Sequence, residues 1–130
     1  MIELEIPVIR ASNGKGWEWL SSNRRYPHPA VKWKLSREYR NLGRAIAQTN
    51  KLPRMERAHV TAIIHRTTRR RFDPNNLAGH LKPIIDGMVV DYGGWLPDDD
   101  HHHLIGPDMR AGEPRKVPCI TLQIEELPAA

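Results

Sequence analysis

Carboxylates and arginines are interleaved between residues 69 and 103 in a pattern suited to phosphate chemistry. The run Arg69-Arg70-Arg71 comes directly before Phe72 and Asp73, and the acidic run Asp98-Asp99-Asp100 lies near the end of the stretch. Adjacent carboxylates repel one another, so such a run persists mostly where a cation or solvent relieves the repulsion. Oxygen ligands set among arginines are what a protein needs to hold Mg²⁺ against a phosphate backbone. The stretch therefore predicts a magnesium site that acts on phosphodiesters.

The basic residues are concentrated in the middle of the chain. Residues 21 to 71 hold 14 Lys and Arg against two acids, a net charge of +12, whereas residues 72 to 130 hold four against ten, a net charge of −6. A basic segment attracts polyanions, and phosphate contacts supply the sequence-independent part of nucleic-acid affinity. The residues that we predict to contact DNA are Arg24, Arg25, Lys32, Arg37, Arg69, Arg70 and Arg71.

Length and composition predict one small domain, residues 1 to 130. Cys119 is the only cysteine and has no partner for an internal disulfide, which suits a reducing cytoplasm. No apolar run approaches ~18 residues, and the acidic N-terminus lacks the pattern of a signal peptide. We predict a soluble cytoplasmic protein that has no membrane partner.

Two periodic segments in the first half of the chain predict a strand and a helix. Apolar residues alternate with glutamates over residues 2 to 8, the period of a half-buried strand. Residues 10 to 29 are rich in Gly, Ser, Asn and Pro, which predicts a long loop. A helix is predicted from Pro29, with Pro53 beyond its end. Its apolar stripe comprises Val31, Leu35, Tyr39, Leu42 and Ile46.

The second half of the chain predicts a strand, a helix and two further strands. Residues 57 to 68 favour a strand by their β-branched content, and Asp73, which precedes a proline, should be extended at or just beyond its end. An apolar stripe between residues 77 and 88 predicts a helix that Gly93-Gly94 closes. A short apolar segment at residues 104–105 and the alternation of apolar and polar residues over 120–125 predict the last strands. The order β-α-β-α-β-β predicts an α+β domain with two main helices against a mixed β-sheet.

These motifs resemble those of the RusA-type Holliday junction resolvases, particularly the short versions that phages encode. In that family a strand ends in Asp-x-Asp-Asn, the next helix carries Lys and, four residues on, Asp, and Gly-Val-Ile-x-Asp-Asp follows. This chain has Asp73-Pro74-Asn75-Asn76, then Lys82 and Asp86, then Gly94-Trp95-Leu96-Pro97-Asp98-Asp99. The segment around Ser22-Asn23-Arg24 and the basic first helix also resemble phage members. The resemblance covers most of the chain and implies a RusA-like fold, in a bacterial host cell if a phage encodes the protein.

Two positions depart from the family pattern. Asn75 stands where the family has its second Asp, so one ligand is neutral, and Asp86 or Asp100 could supply the missing carboxylate. Lys82 falls six residues after Asn76 instead of three, and three residues amount to ~0.8 of a helical turn. Lys82 could therefore keep its expected face, and His80 is the competing candidate for the basic position.

The resemblance implies a Mg²⁺-dependent endonuclease, in which Mn²⁺ is expected to substitute, acting on four-way branched DNA. Asp73, Asp98 and Asp99, with Asn75, would hold the ion, which activates water and neutralises charge on the scissile phosphate. Lys82 would stabilise charge on the phosphoryl oxygens and pair with Asp86 at the i,i+4 spacing. The residues that remain as supporting candidates are Asp86, Asp100 and Asn76.

The run His101-His102-His103 raises a second metal hypothesis. On an extended segment His101 and His103 would share a face. A zinc site needs a third or fourth ligand at suitable spacing, and the lone Cys119 provides no CxxC pair. The alternative is that these histidines are polar residues at the start of a strand, and we favour it.

Several aromatic residues lie near the predicted site or among basic residues. Phe72 adjoins Asp73 and is interpreted as a core residue, although an apolar side chain at this place could also wedge between bases. A second group lies among Lys15, Arg24 and Arg25, a pattern compatible with base stacking, and comprises Trp17, Trp19 and Tyr26. Trp33 and Trp95 are expected to pack.

The family resemblance implies a homodimer, since a four-way junction has approximate two-fold symmetry and a C2 dimer places one site on each of two strands. Three alternatives remain open from the sequence. The chain could bind branched DNA without cutting it, as Asn75 suggests, or cut flaps and forks with less selectivity. It could also be a zinc-dependent hydrolase that uses the histidine run.

Overall fold

The structure, a computed structural model, describes residues 1–129 and is built on a four-stranded mixed sheet. Its strands are β1 (Ile2–Pro7), β2 (Arg57–His65), β3 (Leu104–Ala111) and β4 (Cys119–Leu127), in the spatial order β1-β4-β2-β3. β4 pairs antiparallel with β1 and β2, while β2 and β3 run parallel. Alternation places one set of side chains of each central strand in the core, including Val60, Ala62 and Ile64 of β2.

Two helices supply the rest of the core. Helix α1 (Pro29–Thr49) begins at Pro29, whose missing N–H costs nothing in a first turn, and the His28 side chain caps it. Helix α2 (Ala78–Asp86) is preceded by a 3-10 turn, Pro74–Leu77, and followed by a π-helical turn, Gly87–Asp91. Asp73 caps the 3-10 turn by accepting the Asn75 N–H at 3.0 Å. The segment that carries Asp73, Lys82 and Asp86 is therefore one nearly continuous helical unit.

The two helices cross at unusually short distance, because glycines occupy the contact. A Cβ atom on Gly43 of α1 would overlap the Ile84 carbonyl, and one on Gly87 would overlap the Arg40 carbonyl. The close crossing fixes α2 and its following turn against α1. It thereby fixes the direction in which Lys82 and Asp86 leave the helix surface.

The fold class and the element order β-α-β-α-β-β agree with the sequence prediction, and the α+β assignment is confirmed. Several boundaries differ. β2 ends at His65, so a loop of residues 66 to 73 separates it from the 3-10 turn, and β3 runs to Ala111 instead of being a short strand. Val31 does not join the buried stripe of α1, since it precedes the first turn that contacts the core and is exposed. None of the helices within residues 1–129 has both the length and the apolar character needed to cross a bilayer.

Candidate functional site

Lys82 lies between two carboxylates and forms with them a polar cluster near the predicted site. Lys82 Nζ lies 2.9 Å from Asp86 Oδ1 on the next turn of α2 and 2.9 Å from Asp99 Oδ2 on the following loop. Asp86 and then Asp99 raise the pKa of Lys82 by these hydrogen bonds. Lys82 in turn lowers the pKa of Asp99, whose carboxyl group also lies beside those of Asp86 and Asp98. At neutral pH Lys82 is therefore an ammonium ion and Asp99 a carboxylate.

The loop that carries the acidic run is anchored by apolar residues. Trp95 and Leu96 are fully buried, so the chain leaves the core immediately before the aspartates. Asp98 Oδ1 accepts the backbone N–H of Asp99 at 2.7 Å, which orients the Asp98 side chain. Asp100 has a different role, because its Oδ1 accepts the N–H groups of His102 and His103 and closes a turn. Asp99 is thus the member of the run that contacts Lys82, and Asp98 lies beside it.

Asp73 lies in a different environment from Lys82. It is extended, with φ −94° and ψ 110° as the following proline predicts, and its Oδ1 caps the 3-10 turn. Asp73 lines a cleft together with Asn76, whose Oδ1 accepts the Ser22 hydroxyl at 3.2 Å. Asn75 is exposed beside them. Within residues 1–129 no hydrogen bond or ion pair joins Asp73 to Asp98 or Asp99.

The metal-ligand arrangement is only partly assembled. Among residues 1–129 there is no group of three or more His, Cys, Asp or Glu side chains placed to hold one ion. The structure brings Asp86 and Asp99 to Lys82, with Asp98 beside Asp99, and it leaves Asp73 in the cleft with Asn75 exposed nearby on the 3-10 turn. The donors are nevertheless oxygen atoms of Asp and Asn, the ligand type that Mg²⁺ prefers.

His80 does not occupy the basic position, because it points into the core. Its side chain is fully buried, its Nδ1 accepts the Leu20 N–H at 2.9 Å, and its ring packs against Tyr39 at 4.2 Å. Burial lowers the pKa of His80 to about 3, so the ring is neutral. Of the two candidates, Lys82 is the one at the surface with carboxylate partners.

The histidine run forms a turn instead of the extended segment that the zinc hypothesis required. His101 and His102 are exposed, with ring centroids 4.1 Å apart. His103 Nδ1 lies 2.8 Å from the Glu56 carbonyl oxygen, so that ring is hydrogen-bonded to the backbone of a neighbouring segment. His101 and His103 therefore do not share the face of a strand, and the run lies directly before β3, close to the strand start that we favoured for it.

Most of the basic residues predicted to contact DNA are exposed, and they have no ion-pair partner within the described chain. Arg24 is the exception, since it binds Glu18 at 2.7 Å and lies over the Tyr26 ring. The exposed and unpaired members are Arg25, Lys32, Arg37, Arg69, Arg70 and Arg71. These side chains are available to phosphates, whereas Arg24 organises the loop before α1.

The aromatic predictions have mixed outcomes. Trp95 is buried as expected, but Trp33 is 78% exposed on α1, so the prediction that it packs was wrong. Trp33 lies about two turns before Arg40, where α1 begins to contact the turn after α2, and it is on the side that carries Arg37 and Arg44. Trp19 and Phe72 are half-buried: each packs against the core and also lines the cleft that contains Asp73.

Sequence reasoning did not select Arg66, which the structure places in that cleft with its guanidinium 4.5 Å from the centre of the Phe72 ring. Its sequence signal is weak, because it is one more arginine at a strand end in an arginine-rich segment. Only the path of the loop of residues 66 to 73, which turns back over Phe72, brings the two side chains together.

Neither a protein-family model nor a curated protein sequence matches this chain. Its function is therefore inferred from its own residues, their geometry and the motif pattern described above.

Proposed function

We propose that the chain is a Mg²⁺-dependent endonuclease of the RusA type, which resolves four-way DNA junctions by paired symmetric nicks. The observation that carries this proposal is the contact of Lys82 with Asp86 and Asp99, each at 2.9 Å. In the RusA-like motif pattern these residues come from two separate motifs. Their association at one surface point supports a common site.

The chemistry of the donor set fits a magnesium ion, and Mn²⁺ is expected to substitute. Asp98 and Asp99, with Asp73 from the cleft and Asn75 from the 3-10 turn, would hold it, and Asp86 or Asp100 would support them. A bound ion supplies activation of water and neutralisation of phosphate charge. Because Lys82 already pairs with Asp86 and Asp99, ion binding has to compete with its ammonium group.

Lys82 is also suited to contact a phosphate, because its ammonium group lies at the surface. Its side chain is 66% exposed, so its ammonium group is accessible to a phosphate at the surface. An ammonium that exchanges a carboxylate for a phosphoryl oxygen stabilises the negative charge that gathers there during hydrolysis. Asp86 remains one turn away and keeps the side chain directed at the site.

The surrounding charge favours a nucleic-acid substrate. Arg69, Arg70 and Arg71 are exposed and unpaired within the described residues, next to the cleft that contains Asp73. Rows of unpaired arginines bind phosphates and attract polyanions over long range. A homodimer would present two such sites, as two symmetric nicks require.

The test is nicking of a labelled immobile four-way junction by the wild type and by Asp99→Asn, with Mg²⁺ or with EDTA. The expected result is paired nicks that need Mg²⁺ and that Asp99→Asn abolishes while junction binding persists. Asp91→Asn is the matched control, because Asp91 pairs with Arg40 away from Lys82. Equal cutting of a linear duplex, or of flaps and forks, would replace junction resolution by a less selective nuclease activity.

A second candidate is a protein that binds branched DNA without cutting it. It is favoured by Asn75 and by the lack, among residues 1–129, of three assembled metal-ligating side chains. This candidate predicts tight junction binding and no nicks at any concentration of Mg²⁺ or Mn²⁺. Asn75→Asp would then be the substitution expected to restore cutting.

A further inference from the structure

A cleft of about 450 Å³ opens between the loop before α1, the loop after β2 and the start of the 3-10 turn. Its volume lies within the range of small-molecule binding sites. One part of its wall is apolar and comprises Trp19, Phe72 and Leu77. The rest of the lining is polar and includes Arg66, Thr68 and Arg71. The cleft therefore suits a ligand that has both a flat apolar part and an anionic part.

Arg66 and Phe72 form a stacking platform in this cleft. The Arg66 guanidinium lies 4.5 Å from the centre of the Phe72 ring. A guanidinium that lies over an aromatic ring leaves its other flat face available, and bases stack on such planes as they do on aromatic rings. Trp19 adds a second aromatic side chain to the lining of the cleft.

The charges in the cleft favour a phosphate. Arg66 and Arg71 make no ion pair within residues 1–129, and Asp73 is the single acid that lines the cleft. The hydroxyl groups of Thr67 and Thr68 lie in the same exposed loop and can bond to phosphate or sugar oxygens. A base together with its own phosphate satisfies the apolar and the cationic parts at once.

We propose that this cleft binds one unpaired nucleotide of a DNA strand, with the base stacked on Arg66 and the phosphate on Arg71. The proposal rests on the proposed function for its choice of DNA. A strand is favoured over a free nucleotide because the cleft adjoins a second groove, lined by Arg69, Arg70 and Arg71, along which the backbone can continue. Asp73 would then lie beside a phosphate of that strand.

The test is binding of a fluorescently labelled ten-nucleotide single strand and of the matching linear duplex, measured by anisotropy in EDTA so that no nicking occurs. Arg66→Lys keeps the charge and removes the planar surface. Stacking is worth roughly 1–3 kcal/mol per base, so this variant is expected to weaken single-strand binding about tenfold. Duplex binding is expected to change less than twofold.

Arg54→Lys is the matched control, because Arg54 is exposed and lines neither the cleft nor the neighbouring groove. It is expected to leave the single-strand affinity within twofold of the wild type. Phe72→Leu is a second cleft variant and is expected to act like Arg66→Lys. Since Phe72 also packs on the core, its folding is checked by circular dichroism, and Arg66→Lys keeps the test decisive if Phe72→Leu unfolds.

Equal effects of Arg66→Lys on strand and duplex, or no effect on either, would overturn the proposal. A competition arm with deoxyadenosine monophosphate distinguishes the two sources of the ligand. A mononucleotide that displaces the strand at equal nucleotide concentration would assign the cleft to free nucleotides and overturn the strand proposal. None of these outcomes depends on nicking, so the nuclease proposal fails or stands separately.

Discussion

Acidification between pH 7.5 and pH 5 is expected to destabilise the protein through His80. The ring is fully buried against Tyr39 and Trp19, and desolvation lowers its pKa from 6.5 to about 3. Its Nδ1 accepts the Leu20 N–H, so the ring proton resides on Nε2, which has no partner within the described residues. Protonating Nδ1 would break the bond to Leu20 and place a charge in the core.

The sign of the effect follows from which state binds the proton. Below pH 6.5 the unfolded chain takes up a proton at His80, and the native chain does not until the pH approaches 3. Stability is therefore fully present above pH 6.5 and is lost as the pH falls. At pH 5 the free energy of unfolding is lower by about 1.5 pH units times 1.36 kcal/mol per unit, roughly 2 kcal/mol. That is a large part of a total stability of roughly 5–15 kcal/mol.

The assay is urea unfolding at pH 7.5 and at pH 5.0, followed by tryptophan fluorescence, for the wild type and for His80→Asn. Asparagine has no titration in this range, and its Oδ1 can take the place of Nδ1 as the acceptor for Leu20. The variant is less stable at both pH values because it is smaller, but its stability should depend less on pH. The wild type is expected to lose about 2 kcal/mol more than the variant between the two pH values. Equal losses would refute the reasoning that His80 is held neutral.

Three further predictions follow from contacts in the structure. Gly87→Ala places a methyl group on the Arg40 carbonyl and is expected to lower the free energy of unfolding in urea by about 1–3 kcal/mol or more. Its control is Gly79→Ala, whose methyl group meets no atom and should stabilise helix α2 by about 0.5–1 kcal/mol. Trp95→Ala removes a fully buried ring and is expected to lower the free energy of unfolding by about 3–5 kcal/mol in the same measurement. Trp33→Ala changes an exposed position and should alter the free energy of unfolding by less than about 0.5 kcal/mol. Lys82→Met is expected to tighten Mn²⁺ binding about tenfold in calorimetry, since a unit charge repels a divalent cation about 5 Å away by roughly 1.7 kcal/mol in water.

Each of the three has a result that would contradict it. Equal effects of alanine at Gly87 and Gly79 would mean that the close helix crossing is not required for stability. A cost for Trp33→Ala as large as that for Trp95→Ala would mean that Trp33 is buried. For Lys82→Met, unchanged Mn²⁺ affinity would mean that the ammonium group and the ion do not share the carboxylates. Its control is Lys34→Met, which removes an exposed lysine of α1.

Local patterns account for the parts of the fold that were predicted. Strand alternation in β1, β2 and β4 and the helical stripe of α1 arise from side-chain periods of two and 3.6 residues, which the sequence displays directly. The Lys82–Asp86 pair was also predictable, because an i,i+4 spacing on a helix fixes its geometry without reference to the rest of the molecule. The length of β3 was missed, because it runs through Gly106 and Pro107, residues that favour turns.

The sequence by itself determined the elements, their order and the composition of the candidate site, since each depends on spacing along a single segment. Only the tertiary structure decided which side chains meet. Asp99 reaches Lys82 from a loop 17 residues away, and the buried Trp95 sets where that loop leaves the core. His80 and Lys82 are two residues apart on one helix, yet His80 points into the core and Lys82 points to solvent. Which of them is buried depends on the face of the helix that α1 covers. The separation of Asp73 from the lysine cluster, and its place beside Arg66, likewise come from the path of a loop, whose conformation depends on packing more than on local sequence preference.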